Sequence, residues 1–75
     1  MTNIKEIIRE VRLKLNDGKE LVLVETKTKV EIITDGTEHP RVEKGLITFV
    51  NEDGIIIENE DMIFWEYVED IKIID

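Results

Sequence analysis

Short runs of alternating apolar residues, broken at regular intervals by tight-turn signals, dominate this sequence of 75 residues. The alternation begins in residues 11–15, where Asn16-Asp17-Gly18 follows with the Asp-Gly pair that tolerates the positive φ of a hairpin turn. It returns in residues 26–34, and Asn51-Glu52-Asp53-Gly54 predicts a second hairpin. Turn signals every eight to twelve residues or so predict an all-β domain of five to six short strands.

Several predicted strands are apolar on both faces, most clearly Ile55–Ile57 and Ile71–Ile74. Such strands would aggregate if they were left as open sheet edges. We therefore expect a closed or nearly closed small barrel, although a dimer that pairs the edges would solve the same problem. Between these strands the sequence predicts a single 3₁₀ turn over residues 65–68, and a bend at residues 25–28 that joins two halves of a long strand.

An amphipathic helix is predicted ahead of the barrel, over about residues 3–10. Thr2 or Asn3 serves as its cap. Its apolar residues follow the i, i+3, i+4, i+7 spacing: Ile4, Ile7, Ile8 and Val11. A helix of about two turns is marginal in water on its own, so we expect it to lay its isoleucines on the barrel.

The amino-acid composition limits the classes of protein to which this chain can belong. The chain forms one domain, residues 1–75, with no cysteine for a disulfide or zinc cluster and a single histidine. An apolar fraction of 41% and a charged fraction of 37% argue against disorder and against a membrane protein. We expect a cytoplasmic protein with no membrane association.

The chemistry of catalysis is missing from the sequence. There is no serine or cysteine nucleophile, and His39 lies beside Pro40 in a predicted loop, residues 35–40. The acidic turn at residues 51–54 lacks the spacing of a calcium-binding loop, and Glu58, Glu60 and Asp61 could hold a divalent ion only weakly, as any acidic turn can. A domain of this size also has little room for a substrate pocket. We predict no enzyme, no cofactor and no metal site.

The charge is unevenly distributed along the chain. The net charge is −8, and residues 51–75 hold nine acidic residues against the single base Lys72, whereas acids and bases cancel before residue 51. An acidic surface repels phosphate backbones, so nucleic-acid binding by this third is disfavoured. The excess is explained either by a solvated face, or by a docking face for a basic partner, or by mimicry of phosphates.

Two stretches resemble a known kind of fold. Residues 8–21, with the helix, the alternating strand and Asp17-Gly18, resemble the opening of Sm-like proteins. Residues 45–57, followed by Ile63, Ile71 and Ile74, are similar to small barrels of the SH3/Sm type, including YolD-like proteins. The resemblance implies an SH3/Sm-like barrel. It implies no RNA-binding residue, because Phe64-Trp65-Glu66-Tyr67 stands where the closing basic pair of Sm-like RNA binders is found.

The aromatic residues of the acidic third are the candidate partner-binding residues. In strand phase Trp65 and Tyr67 point the same way. Trp65 either plugs one end of the barrel or, with Tyr67, forms a surface patch rimmed by acidic side chains, since both residue types are enriched at interfaces. On the second interpretation the docking face consists of Trp65, Glu66, Tyr67, Glu69 and Asp70.

Three functions remain open on the sequence. The leading hypothesis is a non-catalytic protein-binding or accessory module whose partner has a basic surface. The second is an acidic inhibitor that mimics nucleic acid, and the third is a divergent Sm-like RNA-binding protein that uses basic residues on neighbouring strands: Arg12, Lys14, Lys27 and Lys29. A homo-oligomer is physically reasonable as well, because so small a domain has more isoleucine than it can readily enclose.

Overall fold

The computed structural model describes residues 2–34 and 41–74, and in these residues the chain forms seven β-strands and one 3₁₀ turn. The strands are β1 (Glu10–Lys14), β2 (Glu20–Val24), β3 (Lys29–Thr34), β4 (Arg41–Val50), β5 (Gly54–Ile57), β6 (Ile63–Phe64) and β7 (Val68–Ile74), and the 3₁₀ turn, Trp65–Tyr67, precedes β7. The prediction of an all-β domain is confirmed, and so is that of the 3₁₀ turn. The predicted loop at residues 35–40, with His39, lies outside the described residues.

The strands form two antiparallel sheets. β1 and β2 make a hairpin in which Leu13 pairs with Leu21 across the predicted Asp-Gly turn. The other sheet has the strand order β6-β5-β4-β3-β7, and in it Ile32 of β3 pairs with Ile71 of β7. Since directly paired residues share a face, this register places the apolar face of β3 and β7 on the same side.

A tight bend joins the two sheets, as the sequence predicts at residues 25–28. Thr26 has a positive φ of 63° there. Its backbone N–H donates to the carbonyl of Ile47 at 2.8 Å, and the N–H of Ile47 donates to the carbonyl of Thr28 at 2.9 Å. These bonds attach the end of the β1–β2 hairpin to the middle of β4.

The core lies between the hairpin and the five-stranded sheet. Its buried residues come from five strands: Leu23, Val30, Ile32, Ile47, Val50, Ile55, Ile57 and Ile71. Val11, Leu13 and Leu15 of the first hairpin pack against them and stay partly exposed. The hairpin therefore covers the core without sealing it.

Barrel closure is not observed. Within residues 2–34 and 41–74, β1 pairs only with β2, and β7 pairs only with β3, so each keeps a free edge. An open groove of ≈ 530 Å³ lies between β1 and β7. A backbone ladder needs strands about 4.8 Å apart and would leave no room for this groove.

The helix predicted over residues 3–10 is not observed. Residues 2–9 have no regular secondary structure, and Glu10 already belongs to β1. Ile4 is 75% exposed and Ile7 is 73% exposed. A helix of two turns requires tertiary packing of its apolar face, which these exposures show is lacking here.

Gly45 lies in a regular part of β4. Gly45 pairs regularly with Val30, and the register between β4 and β5 shifts between Ile47 and Phe49. Gly45 instead has φ of +149° and lies beneath the Glu58 side chain, where an added Cβ would come within 2.6 Å of the Glu58 Cγ. The absence of a side chain on Gly45 therefore lets the Glu58 side chain pack closely against β4.

No helix in the described part of the chain has the length and apolarity to cross a membrane.

Candidate binding groove between β1 and β7

The groove between β1 and β7 has an apolar lining supplied by both sheets. Leu13 and Leu15 line it from β1 and the turn that follows, and Trp65, Val68 and Ile71 line it from the 3₁₀ turn and β7. Period-2 alternation aims Leu13 and Leu15 to the same side. Val68 and Ile71 are three residues apart, and the register shift between β3 and β7 at Glu69 lets both of them line the groove. The groove thus offers apolar contact area beside two free strand edges, whose unpaired backbone groups can bond an added strand.

Charged side chains at the groove are mostly acidic. Asp17, Glu69 and Asp70 line it together with the single base Lys14. Lys19 lies 3.9 Å from Asp17, but both side chains are mostly exposed, so this pair contributes little. Three carboxylates against one ammonium group leave the groove with a net negative charge.

The one base of the last third pairs mainly with Glu31 of β3. Lys72 Nζ lies 3.0 Å from Glu31 Oε2 across the β3–β7 ladder. The hydrogen bond to Glu31, with the attraction of its charge, raises the pKa of Lys72. The charge of Asp70 also contributes to this rise, so Lys72 offsets part of the negative charge of Asp70, whereas Glu31 is its main partner.

The indole of Trp65 is held in place by the β4–β5 turn. Its Nε1 donates to the carbonyl of Asn51 at 2.9 Å, and its backbone N–H donates to the carbonyl of Asp53 at 3.1 Å. The Asn51 side chain in turn accepts from the N–H groups of Asp53 and Gly54 at 2.8 and 3.0 Å. Trp65 is half-buried against the core and also lines the groove.

Trp65 and Tyr67 lie in a 3₁₀ turn and not in a strand. A 3₁₀ turn has about three residues per turn, so residues two apart point in different directions. Tyr67 is 55% exposed, while Trp65 packs against the core. The expectation that the two rings point the same way assumed a strand, and this turn removes that basis, so the aromatic patch stays a prediction.

Three of the five candidate partner-binding residues meet in the groove: Trp65, Glu69 and Asp70. Glu66 and Tyr67 are exposed in the adjoining turn and are not among the lining residues. Sequence reasoning missed the contribution of Lys14, Leu15 and Asp17. Their alternation and turn signal identified a strand and a hairpin, but nothing local indicated that this hairpin faces β7.

A buried carboxylate anchors the start of β1 behind the groove. Glu25 is 4% exposed, and its Oε2 accepts from the N–H of Val50 at 2.9 Å. Its Oε1 accepts from the N–H of Arg9 at 3.1 Å, and the Arg9 guanidinium lies 3.2 Å from Oε2. Burial raises the pKa of Glu25, but the bonds from Val50 and Arg9 outweigh it and hold that pKa below its ordinary value. Arg9 also stacks over Phe49, 4.9 Å from the ring centroid.

The other acidic turns have structural roles. Glu58 Oε1 accepts from the N–H of Leu46 at 2.9 Å, and Asn51 stabilises its own turn. Glu60 and Asp61 line a separate small cavity of ≈ 130 Å³. Among residues 2–34 and 41–74, no three acidic or histidine side chains come together as metal ligands would.

The basic residues weighed for RNA binding are not on neighbouring strands. Arg12 and Lys14 lie on β1, whereas Lys29 lies on β3, between β4 and β7 in the other sheet. That expectation assumed that consecutive strands are neighbours in one barrel. Because β1 and β2 form a separate hairpin, β1 is not a neighbour of β3 in a sheet. Of the acidic residues in the last third, Glu69 and Asp70 line the groove, whereas Glu60 and Asp61 line the separate cavity.

Comparison with known proteins adds no relative. The chain has no significant match to a model of a protein family, to a curated protein or to a solved structure.

Proposed function

We propose that this chain is a non-catalytic protein-binding module of the small SH3/Sm-like barrel type, and that its groove between β1 and β7 receives an extended segment of a partner with a basic surface. The single observation that carries this proposal is the combination at one place of an apolar lining, a net acidic rim and two free strand edges. An extended segment satisfies all three at once.

Each part of the groove supports a different part of recognition. The edge of β7 or of β1 supplies backbone hydrogen bonds to a strand laid beside it. Alternate side chains of that strand point toward Leu15, Trp65 and Val68, and the others reach the rim, where Glu69 and Asp70 favour lysine or arginine. Exposed ion pairs contribute about 0.2–1 kcal/mol each, so apolar burial carries most of the affinity and charge selects the partner.

Protein docking accounts for the acidic residues better than mimicry of nucleic acid. Mimicry requires carboxylates in rows with the spacing of phosphates. The acids here are divided between two cavities, and Glu58 bonds a backbone N–H of β4. The groove acids, by contrast, lie next to apolar side chains, as the rim of a peptide site does.

The experiment is a titration with an eight-residue peptide of alternating lysine and valine, followed by the fluorescence of Trp65, the only tryptophan. We expect saturable binding that weakens as salt rises, and no binding of the matched peptide of glutamate and valine. The variant Glu66→Lys with Glu69→Lys should weaken binding at least about tenfold.

The matched control is Glu60→Lys with Asp61→Lys, which makes the same charge change at the other cavity. Binding to it should fall far less. Equal losses in both variants would mean that only net charge attracts the peptide. Unchanged binding in the Glu66 and Glu69 variant would refute the docking face.

A further inference from the structure

The N-terminal arm, residues 2–8, carries apolar surface that nothing in the described structure covers. Ile4 is 75% exposed, Ile7 is 73% exposed and Ile8 is 37% exposed. Three large apolar side chains within five residues are costly in water. The groove between β1 and β7 is the complementary surface on the same molecule, with its apolar lining open to solvent.

The spacing of the isoleucines indicates the conformation in which the arm binds. In a strand, Ile7 would face away from Ile4 and Ile8. In a helix all three share one face, because residues three and four apart are neighbours. On that helix Lys5 flanks the apolar face and Glu6 lies opposite it, so the charge nearest a groove would be positive.

A helix over residues 2–8 is too short to lie along the whole groove of its own chain, which runs from Leu13 to Leu15 on the β1 side. Both backbone groups of Arg9 are engaged with Glu25, since its N–H donates to the carboxylate and its carbonyl accepts from the Glu25 N–H at 2.9 Å. The arm therefore departs at the end of β1 remote from Leu15. Arg9 and Leu15 are about 20 Å apart along a strand, whereas a seven-residue helix is only about 10 Å long.

We propose that the arm of one copy folds into a helix in the groove of a second copy, and that the two copies exchange arms reciprocally. Ile4, Ile7 and Ile8 contact the apolar lining, while Lys5 meets the rim at Glu69 and Asp70. The exchange buries two apolar arms and two grooves in one closed dimer, which is how short segments commonly produce dimers. This inference goes beyond the proposed function, because it needs no foreign partner.

The test is sedimentation velocity of the full chain over a wide concentration range at about 150 mM salt, with Trp65 fluorescence on the same samples. We expect a dimer that dissociates on dilution, together with a shift in Trp65 emission and a loss of helical circular dichroism. The variant Ile4→Glu with Ile7→Glu should raise the dissociation constant at least about tenfold. Both side chains are exposed, so the variant leaves the core intact.

Two controls separate apolar contact from charge. Ile4→Leu with Ile7→Leu keeps the apolar face and should still dimerise. Lys27→Gln with Lys29→Gln lowers the net charge by the same two units as the glutamate variant, away from the groove, and should dimerise like the wild type.

Three results would overturn the proposal: a wild-type chain that is monomeric throughout, a dimer that persists in the glutamate variant, or a dimer whose formation leaves Trp65 emission unchanged. The lysine–valine peptide, titrated into the monomeric glutamate variant, tests the proposed function independently. Peptide binding without dimerisation would retain that function and remove only the arm exchange.

Discussion

The Glu25 carboxylate accepts a hydrogen bond from the backbone N–H of Val50, 25 residues further along the chain, at 2.9 Å. The same side chain bonds the backbone and the guanidinium of Arg9. One buried acid therefore joins the start of β1, the end of β2 and the end of β4. Since β1 forms one wall of the groove, the position of that wall depends on this contact.

Replacing Glu25 with alanine should destabilise the fold by about 3 kcal/mol, because it leaves the buried N–H of Val50 without its acceptor. Urea unfolding followed by circular dichroism measures the loss. Glu25→Gln keeps an acceptor oxygen and should cost less than alanine. The control Glu31→Ala removes an ion pair with Lys72, whose side chain is exposed, and should cost least. A Glu31 variant as unstable as the Glu25 variants would contradict the anchoring role.

Stability should fall in acid because of Glu25. Its pKa is lower in the folded chain than in the unfolded chain, so below about pH 4.3 the unfolded state takes up a proton that the folded state does not. The contribution of the carboxylate is complete above that pH and is lost as the pH falls through the lowered pKa. Urea unfolding of wild type and Glu25→Gln between about pH 7 and pH 2 tests this. The difference in unfolding free energy should shrink in acid, and a constant difference would exclude a lowered pKa.

Gly45→Ala should cost about 1–3 kcal/mol. Its φ of +149° disfavours any side chain, and the new methyl group would meet the Glu58 side chain at 2.6 Å. Gly18→Ala is the matched control, because Gly18 also has a positive φ, 89°, with no atom within 4 Å of an added Cβ. Thermal unfolding should show the larger loss at Gly45, and adding Glu58→Ala should recover part of it. Equal losses at the two glycines would mean that backbone strain alone acts.

Trp65→Phe should lower the free energy of unfolding by about 1 kcal/mol, because the bond from the indole to the Asn51 carbonyl is lost while an aromatic ring remains. Tyr67→Phe removes a hydroxyl from a ring that is 55% exposed and should leave stability unchanged. Circular dichroism in urea compares them without relying on tryptophan fluorescence. If Tyr67→Phe were the more damaging change, the roles assigned to the two rings would be reversed.

The sequence by itself determined the local structure. Period-2 alternation identified the strands, Asp17-Gly18 and Asp53-Gly54 identified two hairpins, and the bend near Thr26 and the 3₁₀ turn at Trp65 were predicted at the right places. These features depend on side-chain alternation and on backbone preferences that act within a few residues. Each segment therefore specifies its own local structure without contacts to distant parts of the chain.

Only the tertiary structure decided how the segments meet. The separation of the β1–β2 hairpin from the other sheet, the groove between β1 and β7, and the convergence of Leu15 with Trp65 are long-range outcomes. The arm shows the same division, because the spacing of Ile4, Ile7 and Ile8 is helical but two turns of helix need a surface to pack on. Packing partners depend on contacts across the whole chain. The burial of Glu25 and the position of the groove depend on them in the same way.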